Sequence, residues 1–173
     1  MEYTHVYDPD TLVVIGTKTR DQLSIGDVRA LVYVFLRRGD QLYFQRRSPN
    51  KELWPGILDI SAGGLARVEE SFSEAASREL KEELGILITP DRLEAQKLWT
   101  GIIICDDRPC YCHFYLGEAG EADEPVVDGV EVTGGIWLTL SEFETTQRQN
   151  RDAFTKMVYL ALERLDGASI RLW

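Results

Sequence analysis

The chain is poor in several features, and each shortage narrows the field. Cysteine occurs three times in 173 residues. An odd count leaves at least one thiol unpaired within a monomer, so a reducing, cytoplasmic setting is the expectation. No apolar run approaches the ~18 residues of a membrane span. The first residues lack a basic stretch followed by an apolar one, so no secretory leader is expected. Basic residues are in deficit, 19 against 29 acidic, for a net charge of −10 and a pI near 4.7. Such a chain does not coat nucleic acid or an acidic membrane by bulk attraction. Repeats and low-complexity segments are absent.

What remains is an ordinary globular composition, 44% hydrophobic and 28% charged. The length suits one domain over residues 1–173, with a core near 28–165 and an N-terminal extension over 1–27. Charge is uneven along it. Between Lys18 and Lys51 eight basic residues face three acidic ones, a surplus of five, so the remainder carries −15. Segments 28–36 and 41–46 read as a strand hairpin around Arg38-Gly39-Asp40, and 47–56 as a loop. A short strand over 57–61, a helix over 71–84 stopped by Gly85, and strands over 93–105, 110–116 and 131–138 follow. Residues 117–129 read as an acidic loop, and 141–149 and 152–165 as helices. The first ~25 residues form an extended piece centred on the apolar Leu12-Val13-Val14-Ile15. This mixture predicts an α/β or α+β domain with a mixed sheet between helices.

The chemistry concentrates between Gly64 and Ile86. On a helix, Glu79, Glu82 and Glu83 project within an arc of about 100°. Their mutual repulsion costs a few tenths of a kcal/mol per pair, and a divalent cation reverses its sign. Oxygen ligands alone suit Mg²⁺ or Mn²⁺ better than zinc. Arg78 stands four residues after Glu74 and four before Glu82, placed to pair along the helix. Ala76, Leu80 and Leu84 fall on the adjacent arc and fix the helix against the sheet. Gly64 precedes the helix, where a bare Cα lets backbone approach a metal. A glutamate pair alone is ordinary solvated helix. The whole pattern, G-x5-E-x7-R-E-apolar-x-E-E-x-G-apolar, arises by chance on the order of once in ten million chains.

This segment resembles the signature of the Nudix hydrolases, complete from Gly64 to Ile86. The preceding Arg46 to Gly56 stretch is similar to that of a branch holding the isopentenyl-diphosphate isomerases and related hydrolases. The resemblance implies a Nudix-type α/β/α sandwich with a mixed β-sheet. It also implies Mg²⁺- or Mn²⁺-dependent hydrolysis of a nucleoside diphosphate linked to another group, NDP-X. By the same resemblance Glu79, Glu82 and Glu83, joined by the Gly64 carbonyl, hold metal, while Glu70 and Arg78 support them.

Catalysis also needs a base, for which Glu131 is preferred over Asp128, Glu124 and Glu79. Arg46, Arg47 and Lys51 are candidates for binding phosphate. Alternation allows only one of the two arginines to face the site, and Arg46 is preferred. Trp54, Phe44 and Tyr33 are candidates to stack on a base, against a core role. A zinc site at Cys105, Cys110, Cys112 and His113 is disfavoured, because Cys112 and His113 point to opposite faces of a strand. Isomerase chemistry, as that family performs it, uses a cysteine just before the box and histidine ligands; Asp59-Ile60-Ser61-Ala62-Gly63 supplies neither. A binding module without turnover is the other alternative. The expected partner is a small diphosphate, with a homodimer left open.

Overall fold

The computed structural model describes residues 2–127 and 129–173. Nine strands form one mixed sheet: β1 Tyr3–Tyr7, β2 Val14–Thr19, β3 Val28–Arg38, β4 Gln41–Arg47, β5 Leu58–Asp59, β6 Ala62–Leu65, β7 Lys97–Cys105, β8 Arg108–Glu118 and β9 Val132–Thr139. Among the described residues four α-helices accompany them: α1 Phe72–Leu84, α2 Pro90–Ala95, α3 Leu140–Gln149 and α4 Lys156–Gly167.

Strand β3 organises the sheet. One of its edges runs parallel to β8 over nine residue pairs, from Arg29↔Cys110 to Arg37↔Glu118. The other edge is shared along its length by β1, then β6, then β4, all antiparallel. β3 and β4 pair only at their hairpin, Arg37↔Leu42 and Arg38↔Gln41. Beyond it β4 pairs with β5 and β9 while β3 takes β6, so the sheet divides. The divergence opens a cleft between the two branches.

Both faces are covered, because alternation on β3 sends apolar side chains each way. Val28, Ala30, Val32, Val34 and Leu36 pack with Ala75, Ala76, Leu80 and Leu84 of α1 and Leu93 of α2. Phe35, with Phe44 of β4, packs with Phe143 of α3 and Met157, Val158, Ala161 and Leu165 of α4. The α/β/α sandwich expected from the sequence is present. No helix among the described residues is long and apolar enough to cross a membrane.

Two local expectations give way. Leu93 belongs to α2, not to a strand: Pro90 occupies the helix's first turn, where a missing N–H costs nothing, and the Leu93 N–H donates to the Thr89 carbonyl. α4 starts at Lys156 rather than Asp152, because the Thr155 side chain accepts the Val158 N–H. The N-terminal extension is extended, as its sequence suggests, and Val13 and Ile15 are 60% and 65% exposed in an N-terminal hairpin. That hairpin joins the main sheet through Val6↔Arg29 and Tyr7↔Val28.

Candidate active site

Helix α1 is held at both ends. Ser71 and Glu74 close a reciprocal capping box, each side chain bonding the other's backbone N–H at 3.2 and 2.8 Å. Gly85 ends the helix at φ 67°, its N–H donating to the Lys81 carbonyl. The box uses Glu74, which therefore does not pair with Arg78. Ala76, Leu80 and Leu84 are fully buried, so the helix cannot roll.

The three carboxylates meet very different surroundings. Glu82 is 51% exposed, Glu79 13% and Glu83 6%. Arg78 ties this group to the strand before it. Its guanidinium forks onto Glu70 at 2.9 and 2.7 Å, donates to Glu79 at 2.6 Å and Glu82 at 3.1 Å, and reaches the Leu65 carbonyl. Burial opposes its charge, but Glu70 and Glu79 outweigh burial and hold it firmly protonated. Burial likewise pushes the Glu70 carboxyl upward, and the hydrogen bonds from Arg78 and the Arg67 N–H bring it below its ordinary range.

Burial raises Glu79, partly opposed by Arg78, with Glu82 and Glu131 adding repulsion. Glu83 is pushed well above the usual range by burial and then by Glu79, with the Gly63 N–H pulling back and Glu131 and Asp59 adding to the rise. Both protein hydrogen bonds to Glu83 fall on Oε2, from the Gly63 N–H at 2.9 Å and Gln45 Nε2 at 3.2 Å. Gln45 Oε1 is buried without a partner among the described residues. Gly64 explains its own identity: a Cβ there would lie 2.2 Å from Glu79 Oε1. Glycine is the residue that lets the β6 backbone and the α1 carboxylate meet.

The cleft, of about 840 Å³, gathers most of the expected residues. Gly64, Arg78, Glu79, Glu82, Glu83, Arg47, Lys51 and Glu131 line it. Lys51 pairs with Glu131, whose carbonyl accepts the Ser48 N–H. Glu70 supports the site from behind Arg78.

Of the two arginines, Arg47 and not Arg46 lines the cleft. Arg46 is exposed and donates to the Gly56 carbonyl, while Arg47 reaches into the cleft, donating to Asp59 and the Leu53 carbonyl. Glu124 lies elsewhere, paired with Arg38, and Asp128 is outside the described residues. Phe44 is core; Tyr33 and Trp54 line the cleft, Trp54 with the unusual φ of 51°. The three cysteines are buried free thiols.

Sequence reasoning passed over Gln45, Asp59 and Arg67. Gln45 stands two residues before Arg47 on the same strand face. Asp59 is an acid inside an apolar strand, buried and bonded by Arg47 and Thr155; that contrast was the available signal. Arg67 bridges Glu82 and Glu2.

Comparison with known proteins agrees with this arrangement. The NUDIX domain family profile matches residues 27–158. A Nudix hydrolase of Deinococcus radiodurans is 34% identical over 110 residues, covering 63% of this chain and 62% of that protein. An uncharacterized Nudix hydrolase of Salmonella typhi, YfcD, is 37% identical over 75% of this chain and 68% of its own. The crystal structure of DR0079 from Deinococcus radiodurans superposes with a TM-score of 0.77 at 26% identity, covering 95% of this chain and 99% of that one. A bifunctional NMN adenylyltransferase/ADP ribose pyrophosphatase from Francisella tularensis, complexed with AMP and a manganese ion, shares the fold at a TM-score of 0.64 and 16% identity, over 85% of this chain and 43% of that one. A domain match over most of the chain, on a fold that brings the signature glutamates to one cleft, means that the chain belongs to the Nudix hydrolase family.

Proposed function

We propose that the protein hydrolyses the diphosphate linkage of a nucleoside diphosphate derivative with Mg²⁺ or Mn²⁺. One observation carries this reading: the bare Cα of Gly64 against the Glu79 carboxylate, beside Glu82 and Glu83 on the same helix. Glu79, Glu82 and Glu83, with the Gly64 carbonyl, are hard oxygen donors that fit such an ion. Among the described residues no three acidic, histidine or cysteine side chains stand close enough together to hold an ion by themselves. Bound there, the ion supplies charge against the diphosphate oxygens and makes a water more acidic.

The chain's own residues do the rest. Arg78 holds Glu79 and Glu82 in place and keeps Glu70 charged. Gly63 and Gln45 orient Glu83 through Oε2, leaving Oε1 open. Glu131, half exposed on the cleft and close enough to raise Glu79 and Glu83, is the proposed proton acceptor. Lys51 holds Glu131, and Arg47 is the proposed phosphate contact. A cytoplasmic setting accords with three free thiols.

The test is phosphate or nucleotide release from a panel of nucleoside di- and triphosphates, sugar nucleotides and dinucleotides with Mg²⁺ or Mn²⁺. Release should fall at least about a hundredfold in Glu82→Gln and Glu83→Gln, and stop in EDTA. Turnover indifferent to both substitutions and to chelation would overturn the proposal. Binding without turnover across the panel would assign a binding module instead.

A further inference from the structure

The cleft continues past the carboxylates, and its far end is basic. Arg29, Leu31 and Tyr33 share one face of β3, each partly buried, while Val28, Ala30 and Val32 pack under α1. Arg29 lies opposite Cys110 in the parallel β3·β8 pair. Arg108 stands two residues before Cys110 on β8, on that same face, and opposite Cys105 of β7. All four residues line the cleft. Burial raises the Cys110 thiol, and both guanidiniums pull it back, Arg29 by a hydrogen bond as well as by charge. Two arginines thus converge on one small area of sheet.

Neither has a carboxylate partner among the described residues, although acids line the same cleft. Asp106 is held by Lys156 at 2.5 Å, Asp59 by Arg47, Glu131 by Lys51 and Glu2 by Arg67. Glu52 is exposed at the rim. A partly buried guanidinium without a counter-ion is costly, and its planar fork matches phosphate or carboxylate oxygens. Tyr33 pairs with Gly63 beside Glu83, and Arg29 is four residues away on the same strand. That separation is about 13 Å, roughly the length of a nucleoside, with Leu31 between as an apolar floor.

We propose that Arg29 and Arg108 form a second anion subsite, and that the substrate carries, besides its diphosphate, a further phosphate or carboxylate at the other end. The substrate half rests on the proposed hydrolysis; the anion-binding half does not.

Two measurements separate them. First, inorganic phosphate is titrated into ¹⁵N-labelled protein in EDTA, followed by NMR. Amide shifts should centre on Arg29, Arg108 and Cys110 and vanish in the Arg29→Gln, Arg108→Gln double variant. The corresponding double lysine variant, which keeps charge but loses the fork, should bind phosphate about tenfold more weakly, and it serves if the glutamine variant does not fold. Second, with Mg²⁺, KM is compared within substrate pairs differing by one anionic group: NAD with NADP, UDP-glucose with UDP-glucuronate. The anionic member of at least one pair should have a KM about tenfold lower, and the double glutamine variant should bring that ratio toward one; the responding pair tells phosphate from carboxylate. Phosphate shifts that are absent, or equal in wild type and both double variants, overturn the subsite whatever the hydrolysis shows. Phosphate held at the arginines by a protein that cleaves no diphosphate upholds the subsite and sinks the hydrolytic reading. A KM ratio indifferent to the double substitution overturns the selectivity claim.

Discussion

The two faces of the sheet are packed with different chemistry. On the α3/α4 face the core is aromatic: Phe44 lies against Phe143, Phe154 and Trp173, with ring centroids 5.1 to 6.4 Å apart. On the α1 face the apolar residues share their space with charge. Glu83 is buried there, the Arg78–Glu70 fork closes one side, and His113 of β8 stacks on Phe72. The α3/α4 face gains most of its stability by excluding water from hydrocarbon, with Asp59, bonded by Arg47 and Thr155, as its buried charge. The other spends part of that gain on polar groups held at fixed positions, as an enzyme site requires.

Breaking the aromatic face should produce the largest change in stability. Phe44→Ala should cost about 4 kcal/mol by denaturant titration, while manganese uptake per folded molecule stays the same. A loss of uptake in the folded fraction would show that the faces are not separable. Next is Arg78→Ala. Glu70 is 12% exposed and would keep a buried charge without its partner, so about 3 kcal/mol should be lost. Arg78→Lys retains the charge but cannot make the fork onto Glu70 and still reach Glu79 and Glu82. It should recover part of the stability and less of the metal uptake. Full recovery of both would mean that the charge alone matters, not its geometry.

The same contrast governs how much was legible in the sequence. The α1 face announces itself, because Glu79, Glu82, Glu83 and Gly64 are linked by local spacing, and helical geometry converts that spacing into direction. The sandwich was legible for a similar reason: its strands and helices carry their own periods and stops. What could not be read depends on strands distant in sequence. Arg47 rather than Arg46 enters the cleft because β4 pairs with β5 and β9 in one register, which one strand alone does not reveal. Arg29 and Arg108 are 79 positions apart and become neighbours only through the parallel β3·β8 pairing. Val13 and Ile15 lie exposed in a hairpin at the sheet's edge, a position that their apolar character alone does not reveal.

The smallest expected effect separates the faces by pH. His113 is 3% exposed, its Nδ1 lies 3.1 Å from Thr100 Oγ1, and its Nε2 is buried without a partner among the described residues. Burial, helped by the nearby Lys97 charge, lowers its pKa to about 3. A base whose folded pKa lies below its unfolded value of 6.5 contributes stability above pH 6.5 and loses it as pH falls toward 3. Between pH 7 and 5 the unfolded chain takes up a proton that the folded chain refuses, a loss of about 2 kcal/mol. Glu83 and Glu79, raised in the folded state, act in the opposite sense, favouring the fold at low pH and costing stability as pH rises. The raw slope therefore mixes the two, and the difference between wild type and His113→Phe isolates the imidazole. Urea midpoints in EDTA at pH 7, 6 and 5 should converge between the two proteins as pH falls, if the variant is the less stable at pH 7, or diverge in its favour if it is not. Parallel lines would mean that the folded imidazole takes up its proton over the same pH range as the unfolded one, so that the α1 face tolerates one more charge than its packing implies.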